Sequence, residues 1–149
     1  MGGSTAVAVA ATVVAGSLVA LQAPINSKLG KAVGTFTAAS VSFAIGLAVL
    51  VAITLVFGEG FGKIGEAFHL PWYYLLGGVL GAVYVTTVLL SVREIGAGSV
   101  AAATIAGQLT ASVIVDQLGI LGLEQRSLSV ARVCGLALLA AGVFLIVRD

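Results

Sequence analysis

Five apolar runs, at positions 5–21, 35–57, 72–92, 98–115 and 128–147, alternate with short polar stretches along the chain. Each run is about 17 to 23 residues long, close to the ~20 that a helix needs to cross ~30 Å of hydrocarbon. A strand in a membrane barrel alternates apolar and polar positions over ~10 residues, and these unbroken runs do not. The pattern predicts an all-α integral membrane protein with about five transmembrane helices. They are expected at about 5–27, 35–57, 72–92, 97–116 and 128–147, in a single transmembrane domain over residues 1–149. The longest connection, 58–71, carries Phe61, Ile64 and Phe68 at helical spacing, with Glu59, Lys63 and Glu66 between them. That spacing fits a short helix lying in the bilayer interface. Gly58, Gly60, Gly62 and Gly65 leave an irregular loop as the alternative. Pro71 then suits a first helical turn, and Trp72, Tyr73 and Tyr74 suit the headgroup boundary.

Composition agrees with the pattern. Hydrophobic residues make up 60% of the 149 positions and charged ones only 9%, with a mean hydropathy of +1.19. An ordinary soluble domain carries about a quarter of its residues charged. Of the seven Lys and Arg and six Asp and Glu, all but Arg132 lie outside the runs, and Arg132 is the one clear intruder. The net charge of +1 comes with no basic patch, so no nucleic-acid partner is expected. Cys134 is the lone cysteine, which excludes an intrachain disulfide and leaves packing as its expected role. His69, beside Glu66 in a polar loop, reads as a surface residue. The chain has no glycine loop with Lys and Ser/Thr for phosphate, no HExxH and no repeated His/Cys spacing, so neither a metal site nor a cofactor is expected. It also lacks a nucleophile, metal cluster or carboxylate pair, and is not expected to be an enzyme.

The first run lacks a basic start and is expected to remain as a helix, not to be cleaved as a signal. Ala6 departs from the myristoylation pattern. Lys28, Lys31, Arg93 and Arg148 would lie on one side of the bilayer, with Lys63, Arg126 and Arg132 on the other. This small bias favours the N-terminus outside and the C-terminus inside, and it leaves insertion both ways feasible. Twenty glycines lie mostly in or beside the runs. Gly77 and Gly81, one turn apart, offer a flat face for helix contact within the chain or between chains.

Function must then rest on the few polar side chains inside or at the ends of the runs. Gln22 and Asn26 are four residues apart around Pro24, which removes a backbone donor and frees a carbonyl near Ala20. This segment reads as a substrate contact, or as a helix end capped by amides. Gln108 lies mid-run, where an unpaired amide is costly, so it is expected to face protein, water or substrate. Asp116 ends the fourth run and Arg132 lies near the first turn of the fifth, each at the helix end whose dipole disfavours its charge. Pairing relieves both penalties; the alternative has Arg132 facing a cavity and binding an anionic group. Ser42 and Tyr84 are further polar groups inside the runs.

The order Gln22-x-x-x-Asn26-x-x-Leu29-Gly30, Ser42-Phe43-x-x-Gly46 and Gly77-Gly78-x-x-Gly81-x-x-Tyr84-Val85 covers the first half of the chain. Gly107-Gln108, Asp116-x-x-Gly119 and Arg132-x-x-Gly135 cover the second. Together they resemble the YdcZ-type, EamA-like family of the drug/metabolite transporter superfamily, bacterial inner-membrane exporters. The resemblance implies a multi-pass protein of the bacterial inner (plasma) membrane, and a five-helix half-unit of the ten-helix transporter fold. In that fold two halves of opposite orientation enclose a substrate cavity, so a single half implies an antiparallel homodimer forming an inverted repeat. The four-helix multidrug members of the superfamily carry a membrane-embedded glutamate on the first helix. Run 5–21 contains no acid, so proton coupling would have to use Asp116 or Glu94, or be absent.

The expected function is transport of a small metabolite or drug-like solute by alternating access. The expected substrate contacts are Gln22, Asn26, Ser42, Tyr84, Gln108 and Arg132, with Asp116 and Arg132 as a coupling or salt-bridge pair. The partners are the lipid bilayer, the small-molecule substrate and a second copy of the chain. A non-transporting membrane interaction subunit and a passive solute or ion channel are the alternatives.

Overall fold

The computed structural model describes residues 2–58, 60–121 and 123–148. The protein is an all-α membrane protein, with no strand among the described residues. It divides into two compact units, Met1–Arg93 and Glu94–Asp149.

The first unit begins with α1 (Gly3–Val33), 31 residues in one helix with Pro24 inside it. At ~1.5 Å per residue this helix is roughly 46 Å long, well beyond the ~30 Å hydrocarbon core. It does not end near position 27, as the sequence pattern suggested, but runs through Ser27, Lys28 and Lys31. The physical reason is that polarity ends a membrane span without ending a helix. Residues such as Lys keep good helical propensity where the chain meets headgroups and water. Gly34 alone makes the turn, with φ 91° and ψ 151°, and α2 (Thr35–Phe57) starts at the next residue. That backbone region is almost closed to residues with a β-carbon.

α2 ends at Gly58, which turns extended (φ −99°, ψ −173°) while its N–H still donates to the Thr54 carbonyl. The connection then forms two short 3₁₀ turns, Ile64–His69 and Trp72–Leu75, in place of a regular interfacial helix. Tyr73 and Tyr74 stack at 4.8 Å, and Trp72 meets Tyr73 edge-on. A long helix follows over Leu76–Leu118, interrupted at Gly96 by φ 77° and ψ 166°. Its two parts, 76–95 and 97–118, are α3 and α4. The link expected at 93–97 is thus a single glycine.

Small residues build the core of the first unit. Ala38 and Ala39 of α2 pack on Val85 and Leu89 of α3, with Leu29 and Tyr84 against them. Gly81 of α3 faces the Phe43 ring of α2, where a β-carbon would lie at ordinary contact distance, 3.5 Å.

In the second unit α4 ends at Leu118, and α5 covers Val130–Arg148. The connecting segment is held by its own polar groups. Arg126 N–H donates to the Asp116 carbonyl at 2.8 Å, and Leu128 N–H to Gln117 Oε1 at 2.6 Å. Gln125 Nε2 donates to the Gln117 carbonyl at 2.8 Å. The bonds to the Asp116 and Gln117 backbone carbonyls satisfy acceptors that the helix end leaves without intrahelical donors. Cys134 is exposed, against the expected packing role.

Large apolar side chains cover the outside of every helix, among them Phe57, Phe36, Val130 and Leu138. Water would not tolerate so much contiguous apolar surface, whereas acyl chains solvate it. Gly34 is the position where the hairpin is least replaceable. Gly34→Ala should lower stability by about 1–3 kcal/mol, read as thermal unfolding in detergent. Gly16→Ala, in open space within α1, should not lower it. Equal stability of both variants would contradict the strained turn.

Candidate functional site

One stripe of α1, Ala23, Asn26, Ser27 and Gly30, is buried at the spacing of a single helix face. Asn26 and Ser27, at 5% and 7% exposure, are the buried polar residues of the first unit. Asn26 Nδ2 donates to Ser42 Oγ at 3.0 Å, which joins α1 to α2. In hydrocarbon an amide without such a partner is penalised, so this bond fixes the facing of both helices.

Two hollows flank the bond. The smaller, about 10 Å³, lies between Gln22 and Asn26 of α1 and Tyr84 and Val88 of α3. That is room for about one water. The larger is an open groove of about 310 Å³ lined by Gln22, Ser42, Phe43, Gly46, Leu50 and Val85. It matches the lower end of the ~300–1,000 Å³ typical of small-ligand sites. Gln22 and Val85 belong to both. Gly46 has no neighbour within 4 Å of where a β-carbon would stand, which leaves the groove wall open. Pro24 stays within the helix, so the segment is a continuous polar face and not a broken end.

Four of the residues singled out in the sequence, Gln22, Asn26, Ser42 and Tyr84, therefore meet around one small region on three helices. The family model described as "Putative inner membrane exporter, YdcZ" matches residues 7–145. The chain belongs to the YdcZ family. The inner membrane protein YdcZ of Escherichia coli (strain K12) is 30% identical to it over 105 residues, 70% of this chain and 69% of that protein. No solved structure matches. Together with the apolar helices, membership makes the chain a multi-pass inner-membrane protein.

The other candidates of this YdcZ-family chain lie in the second unit. Arg132 Nη1 approaches Asp116 Oδ2 at 3.3 Å, with both side chains about one-third exposed (31% and 32%). The same Nη1 is itself hidden from solvent and has no hydrogen-bond partner among the described residues. The contact is thus a charge pair lacking hydrogen-bond alignment. Ser129 sits at the N-cap of α5 and accepts from the Arg132 N–H at 3.3 Å, which fixes where Arg132 begins its turn. Gln108 is exposed on α4, and its side chain makes no hydrogen bond among the described residues. Asp116 also lines a hollow of about 360 Å³ with Leu123, Glu124 and Arg126. Among the described residues no His, Cys, Asp and Glu cluster has metal-ligand geometry.

Two polar residues escaped the sequence reading. Ser27 accepts a hydrogen bond from Arg93 Nε at 3.4 Å, a long contact that draws the guanidinium onto α1. The signal was present as the 23, 26, 27, 30 spacing, which marks one face of a helix continuing beyond Pro24.

Exchanging the ionic partners tests their role. In wild type each charge opposes its helix dipole, whereas Asp116→Arg with Arg132→Asp keeps the pair and aligns both charges with the dipoles. Each single change should lower stability by about 1 kcal/mol, and the double exchange should restore it fully. Thermal unfolding of the four proteins checks this. A double variant no more stable than the singles would contradict pairing, and lost transport in a well-folded double variant would give the pair a role beyond structure.

Proposed function

We propose that the protein exports a small metabolite or drug-like solute, and that the solute binds in the groove beside Gln22, Asn26, Ser42 and Tyr84. The observation that carries this reading is that Gln22 and Ser42 line the groove, while Asn26 and Tyr84 line the small hollow that shares Gln22 and Val85 with it. The groove holds amides and hydroxyls and is otherwise apolar. Such a lining can orient a largely apolar, uncharged solute through a few hydrogen bonds while leaving it able to depart. The family to which the chain belongs is described as an inner-membrane exporter, which agrees with the outward direction.

The chain works as an antiparallel homodimer by alternating access. Five helices form half of the ten-helix arrangement, and inverted pairing supplies the second half around a shared site. The near balance between Lys28, Lys31, Arg93 and Arg148 on one side and Lys63, Arg126 and Arg132 on the other permits both insertions. Gln108, exposed in the middle of α4, contacts the second copy or the solute. Arg132 acts first as the partner of Asp116 and not as a solute contact.

Flux into proteoliposomes tests the reading. Wild type should give saturable, solute-selective flux. Gln22→Ala should reduce the apparent affinity about fivefold through loss of one hydrogen bond. Gly46→Leu, whose new side chain enters open groove space, should fold normally and abolish most flux. Flux that does not saturate would favour a channel, and no flux across a broad solute panel would favour an interaction subunit. Reporters fused to the C-terminus should read on both sides of the membrane, and a single location would contradict the antiparallel dimer.

A further inference from the structure

We infer that the α1–α2 turn and the end of α3 form a binding site for the headgroup phosphate of an anionic phospholipid. The inference is independent of the solute groove. Three cations belong to this end of the first unit: Lys28 and Lys31 on α1, and Arg93 at the end of α3. All three are exposed.

Arg93 is held in place, not merely present. Its Nε donates to the buried Ser27 Oγ at 3.4 Å, which lays the guanidinium across α1. A β-carbon at Gly30 would stand 2.5 Å from Nη2, so a larger residue here would push the guanidinium from this position. The remaining guanidinium donors stay free, because Arg93 forms no ion pair among the described residues. A planar, pre-positioned donor set is the geometry that suits phosphate oxygens. Lys31 is four residues from Ser27 on the same helix face, and Lys28 is one turn below Lys31.

Among the described residues of the first unit no acid offsets this charge locally: Glu66 belongs to the connection after α2. Glu94 directly follows Arg93 and points about 100° away around the helix, so the two do not face each other.

The surroundings favour a lipid over a soluble anion. The same turn carries Phe36, 74% exposed, and exposed Val33, which give acyl chains an apolar wall directly beside the cations. Basic groups where helices leave the bilayer attract anionic headgroups, each contributing a factor of about five in affinity.

The test uses the full chain in nanodiscs of equimolar phosphatidylglycerol and phosphatidylcholine. Lipid retained after transfer to mild detergent is then counted by mass spectrometry. Wild type should retain phosphatidylglycerol preferentially. Arg93→Gln should lower that preference about fivefold, and Lys28→Gln with Lys31→Gln, at two exposed positions, should lower it further. Gly30→Ala leaves the net charge untouched but displaces the guanidinium, and should also weaken retention. Equal retention of both lipids by wild type would overturn the inference, as would an unchanged preference in the double lysine variant. Displacement of the retained lipid by millimolar inorganic phosphate would reassign the site to a free anion and likewise overturn it.

Discussion

The hydrogen bond from Asn26 to Ser42 is the contact on which the first unit depends, because hydrocarbon offers a buried amide no substitute for it. Apolar side chains hold helices together in a membrane only weakly, since lipid tails solvate them as well as another helix does. Close approach through Ala38, Ala39 and Gly81 supplies contact, but it does not choose which faces meet. The amide does. With Asn26 turned toward α2, Gln22 one turn earlier lines the groove, and Ser27 beside it and Gly30 one turn later receive Arg93. One polar contact thus sets both the proposed solute region and the proposed lipid site.

The second unit solves a related problem differently. Its helices meet through a segment that carries its own hydrogen bonds, from Arg126 to the Asp116 carbonyl and from Leu128 to Gln117 Oε1. The Asp116–Arg132 charge pair adds to these without hydrogen-bond alignment. Each charge sits at the helix end that opposes it, so the pair offsets two local penalties and adds little beyond that.

Membrane class and helical content were legible in the sequence because both follow from uninterrupted apolar length. YdcZ-family membership was legible in the spacing of residues such as Gln22, Asn26, Gln108 and Asp116. Helix ends were not. Lys28 and Lys31 mark where hydrocarbon ends, while α1 continues to Val33, and the break falls at Gly34, where backbone conformation decides. The 3₁₀ turns after Gly58 were equally hidden, because their glycines fit several local conformations. Gln22, Asn26, Ser42 and Tyr84 could be named singly from polarity, but their meeting depends on helix facing, which hydropathy does not encode. Arg93 read as a loop charge; its contact with Ser27 across Gly30 exists only once α1 is extended.

The central claim is that Gln22 of α1 opens to a water-accessible groove, whereas the neighbouring exposed face at Leu21 meets lipid. Cysteine reactivity at matched depth tests it directly, since a thiol reacts as the thiolate and needs water to ionise. In a Cys134→Ala background, Gln22→Cys should react with a membrane-impermeant thiol reagent at least about tenfold faster than Leu21→Cys on the neighbouring exposed face. Equal rates at the two positions, or no reaction at either, would contradict the account.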